Sequence, residues 1–182
     1  MKKNLLLLVI AAGLYSCNNK VAETQTSDNE THNKMRMQQF YDQVINAHNT
    51  AMIDSFCVPD FIDHNPDQGH TGKGIADLKA QFTNMFTGMP DVKMTTKFMI
   101  AQGDTVVSYV TLNGTNSGPM GKMPATNKAF TMDGIDIVII KGDKAVERWG
   151  IFDAMSMMAQ MGMLGDAPPV ADTTKTTGKK TM

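Results

Sequence analysis

The sequence predicts an α+β domain in which helices pack on one face of a curved antiparallel sheet. Three observations carry that prediction. From Met35 to Thr87 apolar residues recur at three- and four-residue spacings. From Val92 to Phe152 they fall into short β-branched and aromatic runs with stretches of alternation. Gly103-Asp104 and Gly142-Asp143 lie between those runs as tight hairpin turns.

The chain opens with Lys2 and Lys3, an apolar run from Leu5 to Ala12, and then Leu14-Tyr15-Ser16-Cys17. This reads as an export signal over residues 1–16 with a lipid-attachment cysteine at Cys17, and Leu-x-Ser-Cys resembles the bacterial lipobox. The apolar run is too short to span a hydrocarbon layer, which needs roughly 20 residues. Each buried CH₂ of an attached acyl chain contributes ~0.8 kcal/mol, so two or more chains hold a protein firmly. The expected location is therefore the bacterial cell envelope, lipid-anchored and facing the periplasm or outer membrane, with no other membrane contact.

Residues 17–31 are polar and read as a flexible tether. The folded domain is expected over residues 32–166. Residues 167–182, rich in Thr and Lys after Pro168-Pro169, read as a disordered tail. With 17 basic and 18 acidic side chains the net charge is −1, which gives no footprint for nucleic acid. Cys57 is the only other cysteine, so no disulfide can form within the mature chain. Between Phe56 and Val58 it reads as a small buried hydrophobe.

Within the domain, Met35 to Phe56 is predicted helical through Met37, Phe40, Tyr41, Val44, Ile45 and Met52, with a break at Asn46 to Asn49 and Thr50 capping a second short helix. Gly72 to Thr87 is a second amphipathic helix ended by Gly88 to Pro90. Strands are predicted over 92–101, 106–114, 130–140 and 145–152. Asn116 to Asn127 is the longest irregular connection, and a Met-rich helix from Ala154 to Leu164 closes the domain.

Two runs concentrate the candidate chemistry: Asp60-Phe-Ile-Asp-His64-Asn-Pro66 and Glu147-Arg-Trp149-Gly-Ile-Phe-Asp153. On an extended strand Glu147, Trp149, Ile151 and Asp153 share one face. If that face lines a pocket, desolvation raises the Asp153 pKa and suits it to general acid/base work. The plainer alternative makes Asp153 the N-cap of the following helix. His64 could move a proton near neutral pH, or be a loop histidine bonded to a carboxylate. Trp149 is core filling or a flat pocket wall. His70 with Asp63 or Asp67 makes no recognised metal spacing. His48 reads as a helix-end residue. Met155, Met157, Met158, Met161 and Met163 read as adaptable packing, able to conform to varied apolar ligands.

Several runs together resemble one family. They are Asp60 to Pro66, Gly72-Lys-Gly-Ile75, Met89-Pro90-Asp91, Gly103-Asp104-Thr-Val106, Gly114-Thr115-Asn116-Ser-Gly118, Pro124-Ala-Thr126, Gly134-Ile-Asp136-Ile, and Val146 to Asp153 followed by Gln160-Met-Gly162. In order and spacing, over roughly residues 36–164, they look like the SnoaL-like polyketide cyclases. That resemblance implies the cone-shaped α+β barrel of nuclear transport factor 2-like proteins, usually dimeric. It also implies intramolecular aldol ring closure with no metal, no cofactor and no covalent intermediate. Asp153 matches the family's acid/base aspartate and His64 a pocket histidine. Asn116 stands where many relatives carry histidine, which removes a possible proton donor. Trp149, Glu147, Asn116, Phe61 and Tyr109 are the expected ligand contacts. The ligand is expected to be a small apolar or ring-shaped molecule. An enzyme of the aldol cyclase or isomerase type, a non-catalytic binding module, and an interaction domain with a vestigial pocket stay open as readings.

Overall fold

The computed structural model describes residues 18–164. The signal and Cys17, and the tail from residue 165, lie outside the described residues.

Helix α1 runs from Asn18 to Phe40 and continues as a π-helical turn from Tyr41 to Ile45. Residues 18–31, expected as a tether, are thus helical. The run contains neither proline nor glycine to stop propagation. It is also tied to the sheet, since the Gly103 N–H donates to Glu30 Oε1 at 3.0 Å and Asn33 Nδ2 donates to the Gly103 carbonyl at 3.2 Å. The predicted break at Asn46 to Asn49 is present, but Asn49 rather than Thr50 is the cap: its side chain accepts from the Ala51 N–H. A 3₁₀ turn, Thr50–Met52, leads into the short helix α2, Ile53–Phe56.

The chain then forms a strand that the sequence did not predict, β1, Cys57–Asp63, which pairs in parallel with the strand β5, Lys144–Phe152. Pro59 sits in β1, tolerated because β1 is an edge strand. Helix α3, Gly74–Gly88, follows. Three long strands, β2 (Lys93–Gln102), β3 (Thr105–Thr115) and β4 (Ala129–Lys141), complete the antiparallel meander into β5. The sheet order is β1-β5-β4-β3-β2. Gly103 and Gly142 take the positive φ that their hairpin turns need (57° and 60°). Helix α4, Ala154–Gln160, is shorter than predicted.

One sheet face is covered by the helices. There Val106, Val110, Phe130, Val138 and Ile140 pack with Tyr41, Val44, Ile45, Ile53 and Leu78 in a single buried cluster. Each such side chain contributes roughly 1.5–3 kcal/mol when fully buried. Among the described residues the other face is left bare by the helices. Two rows of side chains cross it through the strand register: Phe98, Tyr109, Ile135 and Ile151, then Ile100, Val107, Ile137 and Trp149. Phe98, Ile100, Ile135 and Ile151 are all strongly exposed.

Candidate functional site

Between the helices and the inner face of the sheet lies a cavity of about 290 Å³. Its apolar lining includes Phe82, Met85, Met94, Leu112, Met132, Phe152 and Met157. These are apolar because α3, α4 and the inner sheet face must bury an apolar stripe against one another.

The floor is polar. Arg148, on the inner face of β5, donates from Nε and Nη2 to Asp136 Oδ1, both at 2.8 Å. Its Nη1 donates to Asp63 Oδ2 at 2.9 Å. Tyr41, from the end of the first helix, donates its hydroxyl to Asp136 Oδ2 at 3.0 Å. The carboxylates of Asp63 and Asp136 keep only 1% and 3% of their side-chain surface, against 18% for Arg148. Burial alone would lower the Arg148 pKa, but the charges of Asp136 and Asp63 outweigh it and raise it. Burial, and then the Asp136 charge, push the Tyr41 phenol well up. Gly150 makes room for this arrangement, since a Cβ there would stand 2.3 Å from Arg148 Nη2.

Asn65 and Asp67, on the loop after β1, reach the same cavity. The Asp67 N–H donates to Gln81 Oε1 at 3.0 Å, which pins that loop to α3. Desolvation raises the Asp67 carboxyl above its ordinary value, against an opposing pull from Arg148. Its surface is still open to solvent, so water limits the push. His70 and Asp77 fasten the other end of the loop through a 3.1 Å contact from Nδ1 to Oδ1. Cys57 also lines the cavity, where burial pushes its thiol up to about 12.

The expected site residues are distributed differently. Phe61 lines the cavity. Glu147 and Trp149 do not, because the cavity takes the alternate residues of β5, Arg148, Gly150 and Phe152. Trp149 instead lies in one of the cross-sheet rows of the bare face, stacked on His64 with centroids 4.2 Å apart and planes 3° from parallel. His64 Nε2 contacts Glu147 Oε2 at 2.9 Å, the loop-histidine alternative. Asp153 is not among the lining residues, and its carboxylate accepts from the Ser156 N–H at 2.9 Å as the cap of α4. It stands four residues beyond Trp149, about 13 Å along an extended chain, so it does not face His64 across a cavity. Tyr109 is on the bare face, donating to Asp133 Oδ2 at 2.6 Å. Asn116 is fully buried and organises the loop after β3, accepting from the Thr126 N–H at 2.9 Å and donating to the Gly118 carbonyl at 2.8 Å.

Sequence reasoning missed Arg148, Asp136, Tyr41 and Asp67. A signal was present: Arg148 interrupts the apolar alternation of a strand, and an arginine at a core position requires buried carboxylates. Among the described residues, no group of three or more His, Cys, Asp or Glu is placed to hold a metal ion.

The family model described as SnoaL-like polyketide cyclase matches residues 35–161, and the chain belongs to that family. No curated protein matches it. Among solved structures it is similar to TsrD from Streptomyces laurentii at 23% identity and a TM-score of 0.66, covering 74% of this chain and 97% of that one. IdmH from Streptomyces antibioticus gives 21% and 0.63, covering 71% and 98%. A SnoaL-like polyketide cyclase from Agrobacterium tumefaciens gives 12% and 0.56, covering 67% and 92%. At these identities the likeness is one of fold: a curved open sheet with N-terminal helices, of nuclear transport factor 2-like type.

Proposed function

We propose that this domain binds a small, largely apolar molecule in the cavity between helices and sheet, and moves a proton on it in chemistry of the aldol cyclase or isomerase type. The observation that carries the reading is an apolar, methionine-walled cavity with one buried polar cluster as its floor, in which Tyr41, Asp136 and Arg148 line the cavity and Asp63, outside the lining, holds Arg148. In this reading Asp67 is the acid/base. It is the cavity carboxylate whose proton affinity desolvation raises, and a base works best with a pKa nearer the operating pH. Arg148 and Tyr41 hold the floor rigid. Asp153 and His64, the pair expected from sequence, become a helix cap and a surface stack.

A direct test follows α-proton exchange of 2-tetralone in D₂O by proton NMR. The full chain should accelerate exchange, Asp67→Asn should lose ~10²–10⁴-fold of that acceleration, and Asp153→Asn should keep it. Binding of the ketone without acceleration would leave a non-catalytic binding module. Loss in Asp153→Asn with retention in Asp67→Asn would return the acid/base role to Asp153.

The bare sheet face favours a second element of the reading, a homodimer formed through the two cross-sheet rows. Envelope attachment through Cys17 is a third, supported by Leu14-Tyr15-Ser16-Cys17. Cys17→Ser should move the protein to the soluble fraction, and unchanged membrane partition would refute the anchor.

A further inference from the structure

An arginine at the floor of an apolar cavity ordinarily invites a carboxylate or phosphate, because its fork matches their geometry. Here the fork is already engaged. Nε and Nη2 of Arg148 go to Asp136, and Nη1 goes to Asp63. The Tyr41 hydroxyl is directed at Asp136 as well. Each guanidinium nitrogen is thus turned to one of the protein's own carboxylates, whose two charges outweigh its one, although two of its five N–H bonds remain. The acceptors are not all satisfied: among the described residues no donor is bonded to the Asp67 carboxylate, although its backbone N–H donates to Gln81 and its carbonyl accepts from the His70 N–H. The charges are unequal too. Asp63, Asp67 and Asp136 stand against the single guanidinium of Arg148. Arg36 and Asp143, which also line the cavity, offset each other in formal charge.

We propose that the cavity recognises the polar end of its ligand as an uncharged hydrogen-bond donor, a hydroxyl or an N–H presented to Asp67, and rejects molecules of the same shape that carry a carboxylate. The inference rests on the cavity being the ligand site. The physical basis is an excess of negative charge around the cavity, together with one lining carboxylate to which only water, and no protein group, donates. An entering carboxylate would meet like charges and an arginine already neutralised by two buried carboxylates. An entering hydroxyl replaces the water on Asp67 and adds no charge.

The test uses three molecules of one shape: 2-naphthol, which donates; 2-methoxynaphthalene, which does not; and 2-naphthoate, which is charged. Binding is measured by calorimetry on the purified full chain at neutral pH, and again on Asp67→Ala. The expected order on the native chain is naphthol tightest, methoxynaphthalene several-fold weaker, and naphthoate weaker than naphthol by tenfold or more. Asp67→Ala should bring naphthol level with methoxynaphthalene and narrow the gap to naphthoate. Naphthoate binding as tightly as naphthol overturns the charge selection and leaves the cavity reading standing. An Asp67→Ala variant with the native order and spacing overturns the role given to Asp67. Failure of all three to bind, including the uncharged pair, overturns the cavity reading beneath the inference.

Discussion

Arg148 is the residue on which the inner face of the sheet depends. It holds two carboxylates that have almost no contact with water, so removing it strands both. Arg148→Met should cost about 3–5 kcal/mol of stability, read as a fall in the midpoint of chemical denaturation. A loss under 1 kcal/mol would mean that water already screens the cluster. Asp67 should behave in the opposite sense. Its pKa is raised in the folded state, so the native chain holds a proton that the unfolded chain has released, and stability falls as pH rises through that window. Asp67→Asn should therefore raise the melting temperature at neutral pH. The gain should vanish below the ordinary aspartate value near ~3.9, where both states are protonated. A gain that persists at that pH contradicts the assignment. Cys57, with its thiol pushed up to about 12 and its side chain buried, should resist iodoacetamide until the protein unfolds.

At the scale of elements, the second helix, the four long strands and both hairpin turns were legible in the sequence, because their periods and turn residues are local signals. Strand β1 was not. Cys57-Val-Pro-Asp-Phe-Ile-Asp63 is short, has proline inside it, and is held by pairing with β5, more than eighty residues away. The face of β5 was misjudged for a related reason. Its outward residues, Trp149 and Ile151, look more like a core than its inward ones, Arg148 and Gly150. Only the distant Asp63 and Asp136 make an inward arginine tolerable, and Gly150 is small because Arg148 folds over it. The loop after β3 misled in the same way. Asn116 resembles a pocket residue in sequence, yet its amide holds Thr126 and Gly118 in place. Asn116→Ala leaves those backbone groups unsatisfied and should cost about 1–3 kcal/mol. The amides of residues 116–128 should then lose protection from hydrogen exchange, and unchanged protection would refute the organising role.

For the whole molecule, the sheet separates two surfaces with different work. The inner face, with α1, α3 and α4, encloses a cavity, and the outer face offers Phe98, Ile100, Ile135 and Ile151 to solvent. A dimer through the outer face should be broken by Ile135→Lys, seen as halving of the mass by light scattering, while the isolated subunits keep the cavity. A monomeric native chain would contradict that assembly. The central claim is that ligands enter the inner cavity and not the bare face. Methionines line the cavity and isoleucines mark the bare face, so methyl NMR with [¹³C-methyl]methionine and [¹³C-δ1]isoleucine during titration with 2-naphthol distinguishes them most directly. The account predicts shifts at Met85, Met94, Met132 and Met157 of the cavity wall, with Ile100, Ile135 and Ile151 of the bare face unmoved. Shifts confined to Ile100, Ile135 and Ile151, or none at the four wall methionines with the ligand bound, would contradict it.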